Sequence, residues 1–479
     1  MEKKPIILDS YKLLWKQLVS SSCLMEILKV LVLLVFFTME SCIILQNLQP
    51  MFHIVPFSVL LIIYFISLAY ISKKTCPVYV VDFTCFKPPN CLRVPFTAYI
   101  EHARMLDFFD DKSVSFISKI LHLSGLGEQT YFPPGLFYMP PKSGHKEAMN
   151  EVHMILFSVF ENLLSKTNIS PQDIDILIVN CSGFCPNPSL SSIIVNKYSL
   201  KEGVKSYTIS GMGCSANSLA VDMARNIMYT HDNSNAVILS TEILSTGWYP
   251  GRERPFMILN CIFRLGGAAI LLSNKKEAKS HAKYKLLWTL RTQGAFDDKG
   301  YYSAYRDEDS SGITGVRLNG DVLQVAGDTL RTHMPVLGGR FLPLIEKLRF
   351  LKSVLMYKRS KEIYIPNFRT AFQHFCFPAT GKSVVRETAK RLKLGDRDME
   401  AALMTLHRFG NQSSASLWYE LAYLEGKERV KEGDKVWQLG MGTGPKCNSV
   451  VMQCIRPILG EALIGPWADT INTYPLTIP

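Results

Sequence analysis

Cys214 lies in the run Ser210-Gly211-Met212-Gly213-Cys214-Ser215-Ala216-Asn217, between a stretch that reads as a buried strand (204–209) and one with helical spacing (215–228). A cysteine on a glycine-flanked turn where a strand becomes a helix is placed to act as a nucleophile. Gly211 and Gly213 permit a tight turn that side chains would block. The unpaired N–H groups of the first helical turn carry partial positive charge and favour the thiolate, the form that attacks. The plain alternative is a buried structural cysteine, one of twelve in the chain. Asn411 closes the run His407-Arg408-Phe409-Gly410-Asn411 and precedes a helical stretch (413–424), close to its cap, where its amide would be firmly held. Gly440-Met441-Gly442-Thr443-Gly444 follows a strand-like run (435–439). A turn built on Gly442 and Gly444 can bring backbone N–H groups up to a phosphate or a thioester. It is neither a Walker loop, since Lys446 is out of frame, nor a GxGxxG dinucleotide fingerprint.

The elements that position these residues read as an α/β protein. Residues 175–179 (DILIV) are nearly continuous in apolar character, as a strand buried on both faces requires. Strand-like runs at 236–243, 267–272, 286–290 and 362–365 alternate with helical stretches at 148–166, 189–198 and 383–394. That rhythm predicts a parallel or mixed sheet with helices on its faces, and the second half repeats the order of the first. Residues 342–357 form a basic amphipathic stretch, suited to a membrane or partner surface or, more plainly, to a solvated helix face.

Ahead of this body come two apolar runs, 24–45 and 51–71, the second without a single Asp, Glu, Lys or Arg. Each approaches the ~20 residues that span a bilayer. The short link 46–50 makes them a hairpin with both outer ends on one side. Lys3, Lys4, Lys12 and Lys16 precede it, and Lys73 and Lys74 follow, so the positive-inside bias puts both ends in the cytosol. A pair of buried core helices, or a hairpin inserted from one face, are the alternatives. The expected organisation is a cytosolic segment (1–23), two transmembrane helices (24–72), a first α/β half with Cys214 (73–280) and a second with Asn411 (281–479).

With 53 Lys and Arg against 41 Asp and Glu, the net charge is +12, which favours acidic lipid surfaces or phosphate-bearing substrates. Nucleic acid is not expected, because the basic residues are spread along the chain without a recognition motif. No pair of CxxC motifs suggests zinc, and the irregular cysteines fit reduced thiols facing cytosol.

The chain resembles the plant 3-ketoacyl-CoA synthases, the condensing enzymes of very-long-chain fatty acid elongation. VVDFTCFKPP from Val80, SGLGEQTYFPP from Ser124 and PNPSLSSIIVNKY from Pro186 carry the likeness, with GMGCSA from Gly211 and NCIFRLGGAAILLSN from Asn260. HRFGNQSSASLWYELAYLE from His407 and GPKCNS from Gly444 complete it, as do the two N-terminal apolar runs. The resemblance implies a thiolase-like, five-layered αβαβα fold of two similar halves, usually dimeric, either a homodimer or a heterodimer with other condensing enzymes and further elongase components. It implies an endoplasmic reticulum membrane protein, multi-pass, whose catalytic domain faces the cytosol. The implied reaction moves a long acyl chain from CoA to the cysteine, then joins it to malonyl-CoA with loss of CO2, needing no metal and no redox cofactor.

By that resemblance the nucleophile is Cys214 and the catalytic asparagine Asn411, with family histidines at His407 and His374. Two departures stand out. The family pattern HFC-x-HAGGR places its catalytic histidine where this chain has Pro378, and a further family histidine falls on Gln293. Proline offers neither a side-chain donor nor a backbone N–H. Three functions therefore compete: a condensing enzyme with an altered site, a regulatory or scaffolding subunit of the elongase, and an acyl acceptor that does not condense.

Overall fold

The computed structural model describes residues 77–356 and 364–476. The apolar runs expected to span a bilayer lie outside them, and no helix among the described residues is long and apolar enough to cross a membrane. The body is organised by strands whose side chains leave no polar face. β2 (Ile176–Asn180), β4 (Asn235–Thr241) and β5 (Gly267–Ser273) are buried at every position. They join β1 (Tyr79–Cys85), β3 (Lys205–Ile209), β6 (Tyr284–Gln293), β9 (His374–Cys376), β10 (Lys435–Gly442) and β11 (Lys446–Cys454). The result is one nine-stranded sheet in the order β3-β2-β4-β5-β1-β6-β11-β10-β9. A separate hairpin pairs β7 (Ala304–Glu308) with β8 (Thr314–Leu318).

The sheet contains the same pattern twice. β2 runs parallel to β4, which is antiparallel to β5, which is antiparallel to β1. β9 likewise runs parallel to β10, β10 antiparallel to β11, and β11 antiparallel to β6. The two runs meet where β1 and β6 pair at Tyr79–Lys285 and Val80–Tyr284. The helix Ala216–Met228 buries its apolar side between them.

Two sequence expectations change. β3 is an edge strand, partly or fully exposed at each residue, rather than a buried one. Residues 364–367 form no strand, and 362–363 lie outside the described residues. The helix Leu344–Leu355 exposes Arg349 and Lys352, as a solvated charged face requires, together with apolar residues. Its Glu346 is buried, accepting from Arg349 Nη1, Tyr364 Oη and the Asn367 N–H, while Leu344, Leu348, Leu351 and Leu355 point outward.

Candidate active site

Cys214 occupies a short 3₁₀ turn, Gly213–Ser215, between β3 and the helix Ala216–Met228. Gly211 and Gly213 both take left-handed backbone, φ 71° and 55°. At Gly213 a side chain would also be blocked, because a Cβ there would lie 2.7 Å from the Thr443 nitrogen. The sequence suggested an open glycine turn at 440–444. Instead β10 continues through Gly440 and Gly442, and the glycines permit close approach. A Cβ on Gly442 would sit 2.3 Å from Met212 O, and one on Gly440 3.4 Å from Cys214 O. Gly440 and Gly442 thus back the nucleophile turn, which joins the second half of the chain to the first at this point, while Gly444 sits in the β10–β11 turn at φ 56°.

Asn411 arrives from the other half. Its N–H donates to Ile262 O at 3.1 Å and its carbonyl accepts from Arg264 N at 2.9 Å, so its backbone is fixed by a bridge to the first half. Its Oδ1 accepts from Ser413 N at 2.8 Å, while its buried Nδ2 has no hydrogen-bond partner among the described residues. An unpartnered buried amide costs stability and fits a donor kept for a ligand oxygen.

Two residues that the sequence reading missed complete the cluster. Ser413 Oγ lies 3.6 Å from Cys214 Sγ and 3.2 Å from Glu242 Oε2. Glu242, just past β4, also accepts from the N–H groups of Gly183 at 2.6 Å and Ser182 at 3.2 Å. Its one signal in the sequence is an acid at the end of an otherwise apolar strand. Burial pushes the Cys214 thiol up to about 11, and the Glu242 charge adds to this, while Ser413 and the nearby Asn411 amide oppose it. The helix N-terminus expected to favour the thiolate does not prevail, because burial and a neighbouring carboxylate outweigh it.

The remaining candidates sit elsewhere. His374 is at the start of β9, where its Nε2 pairs with Asp434 Oδ2 at 2.8 Å. It precedes Pro378 by four residues, about 13 Å of extended chain. His407 packs over Gly127 and its Nδ1 meets Tyr474 Oη at 2.9 Å. Neither is brought to the thiol. Gln293 ends β6, exposed, in register with Lys446. Pro378 is buried two residues past the end of β9. β9 pairs with β10 as His374 with Val436 and Cys376 with Gln438, and the same register continued two steps would bring position 378 level with Gly440, which lies beside Cys214.

Pro378 leaves a second mark. A buried or half-buried glutamate holds the chain just past each of three strand ends. Glu151 takes the consecutive N–H groups of Leu244 and Ser245 beyond β4, and Glu242 those of Ser182 and Gly183 beyond β2. Glu420 takes Phe377 N at 2.8 Å beyond β9, but the next residue is Pro378, and Glu420 Oε1 is buried without a partner. Burial holds the Glu420 carboxyl well above its ordinary value of 4.5. From that pH upward the unfolded carboxyl ionises while the folded one keeps its proton, so folding loses about 1.4 kcal/mol per pH unit. Glu420→Gln removes this penalty. Its stability advantage over the wild type, followed by thermal melting across pH, should be absent in acid and grow with pH. An advantage that is flat with pH would mean that the native carboxylate is ionised.

The sheet order and the paired halves define the thiolase-like α/β class. The chain superposes on a fungal type III polyketide synthase with a TM-score of 0.62 at 18% identity, covering 79% of this chain and 99% of that one. A type III pentaketide synthase from Neurospora crassa gives 0.60 at 16% identity, covering 79% and 99%. Residues 70–360 match the model of the FAE1/Type III polyketide synthase-like proteins, and 370–454 that of the 3-oxoacyl-[acyl-carrier-protein] synthase III C terminus. The 3-ketoacyl-CoA synthases 5 and 6 of Arabidopsis thaliana are each 46% identical. The first match spans 89% of this chain and 87% of the relative, the second 87% and 84%. The chain belongs to the 3-ketoacyl-CoA synthase family.

Proposed function

We propose that the protein catalyses the condensation of a long-chain acyl-CoA with malonyl-CoA in very-long-chain fatty acid elongation. Cys214 attacks the acyl thioester and holds the acyl chain. Malonyl-CoA loses CO2, and the resulting enolate attacks that thioester, giving a 3-ketoacyl-CoA two carbons longer. The Asn411 amide donates to the oxygen that gains charge. The observation that carries this reading is the free, buried Asn411 Nδ2 beside the Cys214 thiol on the scaffold of this family. The reading includes an endoplasmic reticulum membrane anchor through residues 24–72, two halves stacked in five layers, a dimer with itself or with another condensing enzyme, and work beside other elongase components.

Proline at the level of the thiol favours a second reading, a regulatory or scaffolding subunit with little chemistry of its own. One experiment separates them. Microsomes from cells free of plant synthases are given malonyl-CoA labelled in its free carboxyl and a long-chain acyl-CoA. The condensing enzyme releases labelled CO2 above background, and Cys214→Ala removes that release. A regulatory subunit releases none, and Cys214→Ala leaves its effect on a co-expressed partner synthase unchanged.

A further inference from the structure

Among the described residues no histidine stands beside the Cys214 thiol, yet it is not without a base. We infer that Glu242 takes the Cys214 proton through the hydroxyl of Ser413, a relay that stands in for the missing imidazole. This rests on the condensing reading only in taking acyl-CoA as the electrophile.

The geometry is specific. Ser413 Oγ stands between the two groups, 3.6 Å from Cys214 Sγ and 3.2 Å from Glu242 Oε2. A serine hydroxyl has one proton and two lone pairs. Its placement lets that proton go either to Cys214 Sγ or to Glu242 Oε2, and when it goes to Glu242 a lone pair is left to accept from S–H. Ser413 is held in left-handed backbone at φ 57°, which is rare for a residue with a side chain. Asn411 Oδ1 fixes this conformation by accepting the Ser413 N–H at 2.8 Å. Backbone strain of this kind persists only where the surroundings impose it, and it collects at functional sites. The two oxygens of Glu242 have separate tasks. Oε1 takes the Gly183 and Ser182 N–H groups at 2.6 and 3.2 Å, and Cys181 Sγ at 3.7 Å. Oε2 faces Ser413, with Ser182 N at 3.4 Å.

The surroundings suit a base. Burial raises the Glu242 carboxyl, against the lowering effect of its hydrogen bonds, and a carboxylate so raised binds a proton more strongly. The buried Glu151 and Glu242 repel one another's charge, and Cys181 sits beside Glu242. Arg306 reaches Gly183 O, on the loop that Glu242 holds, at 3.4 Å.

The step balances. Ser413 passes its proton to Glu242 Oε2 as it accepts the proton of Cys214. The thiolate attacks the acyl carbonyl carbon, a carbon–sulfur bond to Cys214 forms, and the bond to the CoA sulfur breaks. The CoA thiolate leaves with a proton returned along the same path, and Glu242 is again a carboxylate.

A glutamate that merely tethers the loop at 182–183 predicts the opposite. Its charge opposes the thiolate, so neutralising it would speed the thiol. The test is the labelling rate of Cys214 in the full-length protein, read on its peptide by mass spectrometry across pH, with iodoacetamide and, separately, with a long-chain acyl-CoA. Under the relay, Glu242→Gln and Ser413→Gly each slow labelling at neutral pH by about 10²-fold, and the pair together slow it no more than either alone. Glutamine keeps an acceptor for the loop. Glycine suits the left-handed backbone, so Ser413→Gly carries the test should Glu242→Gln fail to fold. Faster labelling in Glu242→Gln, or an unchanged rate in Ser413→Gly, overturns the relay. Labelling requires no malonyl-CoA. A protein that shows the relay but releases no CO2 therefore loses the condensing reading and keeps this one.

Discussion

Replacing Pro378 by histidine should raise the release of CO2 from malonyl-CoA by about 10²–10³-fold, the usual worth of one donor to a developing oxyanion. The register of the sheet supports the expectation. Continued two residues past Cys376, it would bring position 378 level with Gly440, and Gly440 packs against Cys214 O and Ser215 Cα. An imidazole there would share the substrate oxygen with the free Asn411 Nδ2. It would also give the thiol a cationic partner in place of the lone carboxylate that now opposes its ionisation. The alkylation profile of Cys214 should move with it. The wild-type rate climbs steadily towards its thiol value of about 11, whereas the variant reaches its plateau at lower pH. The relay through Ser413 becomes dispensable in that background, so adding Glu242→Gln to Pro378→His costs far less than adding it to the wild type. A variant that gains no activity while its alkylation profile does shift would place the block at malonyl-CoA rather than at the nucleophile.

The sequence revealed the nucleophile's turn and the α/β order because both are local. Glycines that must take positive φ are visible one at a time, and an apolar run bounded by polar residues reads as a strand wherever it lies. β2, the helix Ala216–Met228 and the alternation around them follow from that. What stayed hidden depends on residues far apart in the chain. Glu242 and Ser413 are separated by 171 positions and meet only because β4 and the segment after Asn411 lie across the joined halves. Nothing in the local sequence marks Ser413, and an acid at the end of an apolar strand is the one local mark of Glu242. The histidines show the converse. His374, His407 and the family position at 378 look interchangeable as residue types, but the sheet register sends His374 to Asp434 and the fold sends His407 to Tyr474. The glycines of β10 were misread for the same reason. Their cause is not a turn but the crowding of Met212 and Ser215 from the other half.

Lys283→Met should destabilise the fold by about 3–5 kcal/mol near neutral pH, the cost of stripping the partner from buried charges. Lys283 is 2% exposed, and its Nζ reaches Glu461 Oε1 at 2.6 Å, Glu425 Oε2 at 2.7 Å and Asp82 Oδ1 at 2.9 Å. Lys166 also touches Asp82 and Glu461, at 3.1 and 3.0 Å, from a more exposed position. Burial alone would lower the lysine's pKa, but Glu425, Asp82 and Glu461 outweigh it and raise it above the ordinary 10.5. A raised lysine contributes stability that is complete below its unfolded value and is lost only above it, so the contribution is whole throughout the neutral range. Without the lysine, Asp82 and Glu461 keep Lys166, while Glu425 keeps only the Tyr284 hydroxyl at 2.6 Å, and burial already raises Glu425. Acid should therefore shrink the penalty, as these groups take up protons instead of remaining buried charges. Denaturation near neutral pH and again in mild acid measures both effects, and Glu425→Gln in the same background should recover part of the loss. The position gives the result its functional weight. Lys283 directly precedes β6, and its N–H donates to Val80 O at 3.1 Å, at the seam where β1 and β6 join the two halves. Cys214 comes from one half and Asn411 and Ser413 from the other, so a loosened seam should silence the site without altering any residue in it. If Lys283→Met melts like the wild type, sheet pairing and packing alone hold the halves in register, and the charges at the seam are incidental to the site.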